Sequence, residues 1–96
     1  MTAQTLKVLF TVMSPRHDEM SGAEIGRATD LASGSLYPIL FRLEEAGWLA
    51  SHWEAGDPSD LGRPRRRLYR ITGIGARKAK SALREVLKPL KEFSWS

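Results

Sequence analysis

Cysteine is absent from the 96 residues. That excludes a disulfide framework, a thiolate nucleophile, an iron–sulfur cluster and every zinc site built on sulfur ligands. Histidine is nearly absent as well. His17 and His52 are the two in the chain, and neither stands at ligand spacing from the other or from a carboxylate pair that reads as buried, so no metal site, cofactor or acid–base catalyst is implied and the chain does not read as an enzyme. No run approaches the roughly 18 apolar residues of a membrane span, and the one apolar stretch near the amino end contains Lys7 instead of following a basic segment. The expected location is the cytoplasm. The length leaves room for one small domain. With 42% hydrophobic and 27% charged residues, three Trp, three Phe and two Tyr, the chain has the content of a packed globule.

Acidic residues are scarce in one region only. Residues 1–61 hold four basic and nine acidic side chains, a balance of −5, whereas residues 62–96 hold eleven basic and two acidic, a balance of +9. The net +4 is therefore a local basic concentration, which invites a polyanionic partner or simply keeps the protein soluble.

Periodicity and punctuation order the chain. Leu6, Leu9, Phe10 and Met13 recur at helical steps, although Thr5, Val8, Thr11 and Val12 make the same stretch readable as a strand. Ser14-Pro15 stops it. Ser21 and Glu24 form a reciprocal capping box for a second helix running to about Thr29, with Ala23, Ile25 and Ala28 on its inner face. A turn at Asp30-Leu31-Ala32 leads to a third helix, capped by Ser33 or Ser35 and carrying Pro38 in its first turn. Leu36, Ile39, Leu40, Leu43 and Gly47 share one side of this helix, and Ser35, Pro38, Phe41, Arg42 and Glu45 share the other.

After Gly47 the period changes to two. Trp48 to Trp53 reads as a strand, Glu54 to Pro64 as a loop and Arg65 to Ile71 as a second strand. A two-stranded ribbon is marginal alone, so it leans on the helices through Trp48 or Leu49 and Tyr69 or Ile71. Thr72 caps a last helix from about Gly73 to Phe93, where Ala79, Leu83, Val86, Leu90 and Phe93 form a short heptad seam and Pro89 is expected to kink or end the helix. The order gives a mainly α fold with a small β hairpin, a winged helix-turn-helix. Residues 1–72 form the winged helix and residues 73–96 a C-terminal dimerisation helix.

Ser33-Gly34-Ser35 at a helix amino terminus offers a seat for phosphate. Arg42 could fork onto a guanine edge or pair with Glu44 or Glu45. Tyr37, on the flank, suits half-buried packing or a phosphate contact. Arg63, Arg65, Arg66 and Arg67 lie where a wing would cross a DNA backbone, or form a solvated charge run. A winged-helix protein–protein module without DNA contact would share the fold but want an apolar outer face on the third helix, and Phe41 is the residue that favours it.

The stretch from Leu36 through Tyr37-Pro38 to Arg42-Leu43-Glu44, then Gly47-Trp48-Leu49, then Gly62-Arg63-Pro64-Arg65-Arg66-Arg67, then Tyr69-Arg70-Ile71-Thr72 and Gly75, resembles the PadR family of bacterial transcriptional regulators. The resemblance covers about residues 5 to 80. It implies a homodimeric repressor with Tyr37, Arg42 and the wing arginines at the DNA surface; the residue pattern adds Ser33, Gly34, Ser35 and Pro38 to that surface, and a dimer is expected to bind a near-palindromic operator in double-stranded DNA. It also implies a dimer contact supplied by the final helix, and the expected interface residues are Ala79, Leu83, Val86, Leu90 and Phe93 of that helix together with Leu9 of the first. Some members of the family release DNA on binding phenolic acids or flat hydrophobic drugs between their subunits. No acid-binding pocket for such an aromatic effector is legible here, and Phe93 and Trp95 read as interface packing.

Overall fold

The computed structural model describes residues 2–14 and 18–95, with side chains described through Lys88. Helix α1 (Ala3–Val12) begins where the extended Thr2 accepts from the Thr5 amide at 3.2 Å. Its buried residues recur at helical and not strand steps: Val8, Leu9 and Val12 are buried, with Phe10 and Met13 half-buried beside them. The inner stripe is thus turned toward the valines. Pro15 and His17 lie outside the described residues.

Strand β1 (Met20–Ser21) is a third strand that the alternation pattern could not reveal, since two residues carry no period. Ser21 then caps α2 (Gly22–Thr29) through the expected box with Glu24, both bonds at 3.2 Å. The inner face of α2 is Gly22, Ile25 and Thr29, while Ala23 and Ala28 are exposed. Thr29 is buried without loss because its hydroxyl donates to the Ile25 carbonyl at 2.7 Å. Asp30, left-handed at φ 57°, ends the helix.

Helix α3 (Ser33–Glu45) is capped by Ala32, not by Ser33 or Ser35, and receives no side-chain cap. With Ser33 as the first helical residue, Pro38 falls in the second turn instead of the first. Its missing amide deprives the Gly34 carbonyl of its helical partner, which is tolerable because both residues are exposed. Leu36, Ile39, Leu40 and Leu43 are each at most 5% exposed. At about 1.5–3 kcal/mol per buried side chain they anchor the helix. Gly47, at φ 79°, supplies the left-handed exit.

Strands β2 (Leu49–Trp53) and β3 (Arg67–Ile71) pair antiparallel, with Leu49 opposite Ile71 and Trp53 opposite Arg67. β3 is central, and β1 adds to its other edge with Met20 opposite Tyr69. Leu49 and Tyr69 lean into the helical core, which is how the small sheet is held. β3 starts at Arg67 and not Arg65 because the preceding Arg66 amide is turned to the Glu54 carboxylate at 3.3 Å. The loop between the strands contains a short helix, α4 (Pro58–Leu61), capped by Asp57 and ended by Gly62 at φ 69°.

Helix α5 (Gly73–Trp95) starts as expected at Thr72, whose Oγ1 accepts from the Gly75 amide at 3.0 Å and donates to the Gly47 carbonyl at 2.6 Å. It continues through Pro89 to Trp95, so the proline does not end it. α5 packs on α1. Two residues expected at a dimer interface are corrected by this packing: Leu9 and Ala79 are fully buried inside the subunit and have no surface for a partner. Leu83 and Val86 of the same seam are 40% and 55% exposed. The side chains of Leu90 and Phe93 lie outside the described residues.

Candidate nucleic-acid interface

The third helix presents its polar side outward as its periodicity requires: Ser35, Pro38, Phe41, Arg42 and Glu45 are all exposed. Around the helix axis, Phe41 and Pro38 lie about 150° from the mean direction of the four buried residues, whereas Tyr37 and Arg42 lie about 110° away on opposite flanks. The two flanks therefore have different neighbours. Arg42 lines a cleft with Thr2, Thr5, Leu43, Ala46 and Trp48, toward the start of α1. Among the described residues it has no ion pair, so the alternative of a pairing with Glu44 or Glu45 is not made. Glu44 is engaged elsewhere.

Tyr37 faces the wing. It lines one cleft of about 410 Å³ with Ser21, Gly22, Ala23, Trp53, Arg65, Arg66, Arg67 and Tyr69. It also lines a second, of about 470 Å³, with Arg27 and Ser33 between α2 and α3. Tyr37 is 47% exposed and is the joint between the two clefts. The ring lies over the first turn of α2, so close that a Cβ at Gly22 would stand 2.6 Å from its hydroxyl. Burial pushes the neighbouring Tyr69 hydroxyl above its ordinary pKa, so it stays neutral. The amino end of α3, with Ser33 and Gly34 exposed and no side-chain oxygen on its amides, opens onto the same side.

The arginines divide into two kinds. The Arg63 guanidinium forks onto Glu54, at 2.6 Å to Oε1 and 3.0 Å to Oε2, and also donates to the Pro64 carbonyl at 3.2 Å. This fork lowers the Glu54 pKa from 4.5 to about 2 and raises that of Arg63. Arg67 donates to Ser51 Oγ at 2.8 Å and approaches Glu44 at 3.4 Å, and it lies over the Trp53 ring at 5.4 Å from its centroid. Arg65 and Arg66 are exposed and, among the described residues, make no ion pair. Sequence spacing could not separate these roles, because the partners Glu54, Ser51 and Glu44 are brought up by the hairpin register.

His52 is remote from this surface in function: its Nε2 meets Glu19 at 2.9 Å, and that bond raises the imidazole pKa. His17 lies outside the described residues. No group of three or more metal-ligating side chains occurs among the described residues, and no described helix is long and apolar enough to cross a membrane.

Three helices, a three-stranded sheet with an arginine-bearing loop, and a trailing helix define a winged helix-turn-helix protein. The model of the PadR-like family of transcriptional regulators matches residues 19–81, and the chain belongs to that family. Among solved structures, it is similar to a PadR family transcriptional regulator from Eggerthella lenta, at 24% identity and a TM-score of 0.70 over 91% of this chain and 77% of that one. It is also similar to the YusO protein of Bacillus subtilis, at 17% identity and a TM-score of 0.79 over 96% of this chain and 60% of that one. A third similar structure, reduced AbfR bound to DNA, shares 25% identity at a TM-score of 0.68 over 88% of this chain and 53% of that one. The chain spans little more than half the length of most of these neighbours. No curated protein matches it.

Proposed function

We propose that the protein is a homodimeric transcriptional repressor that binds a near-palindromic site in double-stranded DNA with sequence specificity. The observation that carries this reading is the position of Tyr37, which lines both the α2–α3 groove, where Arg27 and Asp30 stand, and the cleft that holds Arg65, Arg66 and Arg67, and so joins them in one continuous surface. On this reading α3 enters the major groove. The uncapped amides of Ser33 and Gly34 and the Tyr37 hydroxyl hold one phosphate strand, and Arg65 and Arg66 hold the backbone beside the wing. Ser35, Pro38 and Arg42 serve the far flank of the groove, with Arg42 the candidate for a guanine edge. Arg63 and Arg67 hold the wing in shape.

Residues 1–72 act as the DNA-binding unit and residues 73–96 as the dimer helix. Leu83 and Val86, exposed in the single subunit, suit a helix-to-helix contact whose seam continues by spacing to Leu90 and Phe93. The experiment that tests the whole reading is selection of bound fragments from the host genome, joined to sedimentation of the purified protein. Expected are a dimer at micromolar concentration and a site with two half-sites about 10 base pairs, or a small multiple of that, apart. A monomer that enriches no duplex would refute it.

A further inference from the structure

Phe41 is 64% exposed, the most exposed of the large apolar side chains among the described residues. It is not a loose residue at a chain end. Leu40 and Leu43, 1% and 5% exposed, fix the helix beneath it, so the ring is held outward at the middle of the α3 face. A protein-docking surface would need a contiguous apolar patch around it. Its neighbours on that face are instead Pro38, Arg42 and Glu45; Tyr37, one turn back and 47% exposed, lays its ring over the first turn of α2, and the remaining large exposed apolar residues lie on β2 and α5.

Resting on the DNA-binding reading above, the geometry points to Phe41 as a specificity-determining residue that recognises the C5-methyl group of a pyrimidine, thymine in unmodified DNA. The chemistry leaves little else. A phenyl ring has no donor or acceptor, and on the major-groove edges the apolar feature that separates one base pair from another is that methyl group. Phe41 stands nearer the centre of the outer face than Arg42, so it meets the floor of the groove while Arg42 approaches from the flank. The site should therefore require a thymine next to the position that Arg42 reads.

The test uses the full chain and the site obtained by selection. Each thymine is replaced in turn by uracil, which removes the methyl and nothing else, and affinities of the wild type, Phe41→Ala and Phe41→Leu are measured at one salt concentration. At one thymine per half-site the wild type should weaken about 3- to 10-fold. Phe41→Ala should be insensitive at that same position and Phe41→Leu intermediate. 5-Methylcytosine placed there should recover part of the affinity that plain cytosine loses. Because the ring is exposed, the thermal midpoint should be the same in all three proteins.

Equal uracil sensitivity in wild type and Phe41→Ala at every thymine overturns the proposal and leaves DNA binding standing. So does a Phe41→Ala variant that binds the site as wild type does. Failure of the wild type to select any duplex overturns both readings.

Discussion

Arg67, on the returning strand of the wing, is joined to Glu44 of α3 at 3.4 Å and again through Ser51, whose hydroxyl receives the Arg67 Nε–H and donates to the same carboxylate. The wing is thereby tied to the carboxyl end of the helix that would read the groove. Glu44→Gln should weaken DNA binding about 3- to 10-fold by freeing the wing, while changing stability by only about 0.5–1 kcal/mol because both partners are partly exposed. Arg67→Gln should do the same, and the double variant should be no worse than either single one. Affinities that add independently would show that the two residues do not act through each other.

The division among the arginines predicts different salt dependences. Arg65→Ala and Arg66→Ala should each flatten the slope of log affinity against log salt by up to about 0.9, the loss of one phosphate contact. Arg63→Ala should leave the slope nearly unchanged but speed proteolysis between residues 54 and 66, since its guanidinium holds Glu54 and the Pro64 carbonyl. A slope that falls equally for all three variants would contradict the division.

Much of this surface was legible in the sequence because its signals are local. The Ser21–Glu24 box, the four-residue apolar stripe of α3, the Gly47 exit and the Thr72 cap each depend on residues three to five apart, and each is present. What escaped depends on distant pairing. β1 exists only because Met20 finds Tyr69 across the fold, and Ala32 replaces the serines as cap because the turn after Asp30 sets where the helix starts. Ala79 has the right spacing for the α5 seam and Leu9 lies on the apolar stripe of α1, but the packing of α5 on α1 leaves both fully buried. The roles of Arg63 and Arg67 likewise follow from hairpin register and not from the run of basic residues.

The Arg63–Glu54 fork also sets a pH dependence. The Glu54 carboxyl titrates at about 2 in the folded protein against 4.5 ordinarily, chiefly through the Arg63 hydrogen bonds. A folded value below the unfolded one means that the contribution is complete above 4.5 and is lost as pH falls toward about 2. Carboxyl resonances followed by NMR should place the Glu54 midpoint well below 4.5, and Arg63→Ala should return it toward that value. His52 has the opposite sign: its bond to Glu19 raises its pKa, so that contribution is complete below 6.5 and is lost as pH rises through the raised value. A Glu54 midpoint that does not move in Arg63→Ala would remove the fork as its cause.

Among the described glycines, Gly75, at the junction of the winged helix with α5, leaves the least room for a side chain. The Thr72 amide donates to the Trp48 carbonyl at 3.0 Å, drawing the first turn of α5 against the start of β2. A Cβ on Gly75 would stand 2.1 Å from the Trp48 carbonyl oxygen and 2.8 Å from its carbon, backbone atoms that cannot rotate away. Gly75→Ala must therefore separate the two segments, straining the Thr72 bonds to Gly47 and Trp48 and tilting α5 on α1. The expected loss is about 1–3 kcal/mol, read as a lower denaturant midpoint with the slope unchanged. Gly34→Ala is the control, since a Cβ there meets no atom within 4 Å, and added helix propensity should stabilise by up to about 1 kcal/mol. If the two variants melt alike, close backbone approach is not what the glycine at 75 provides.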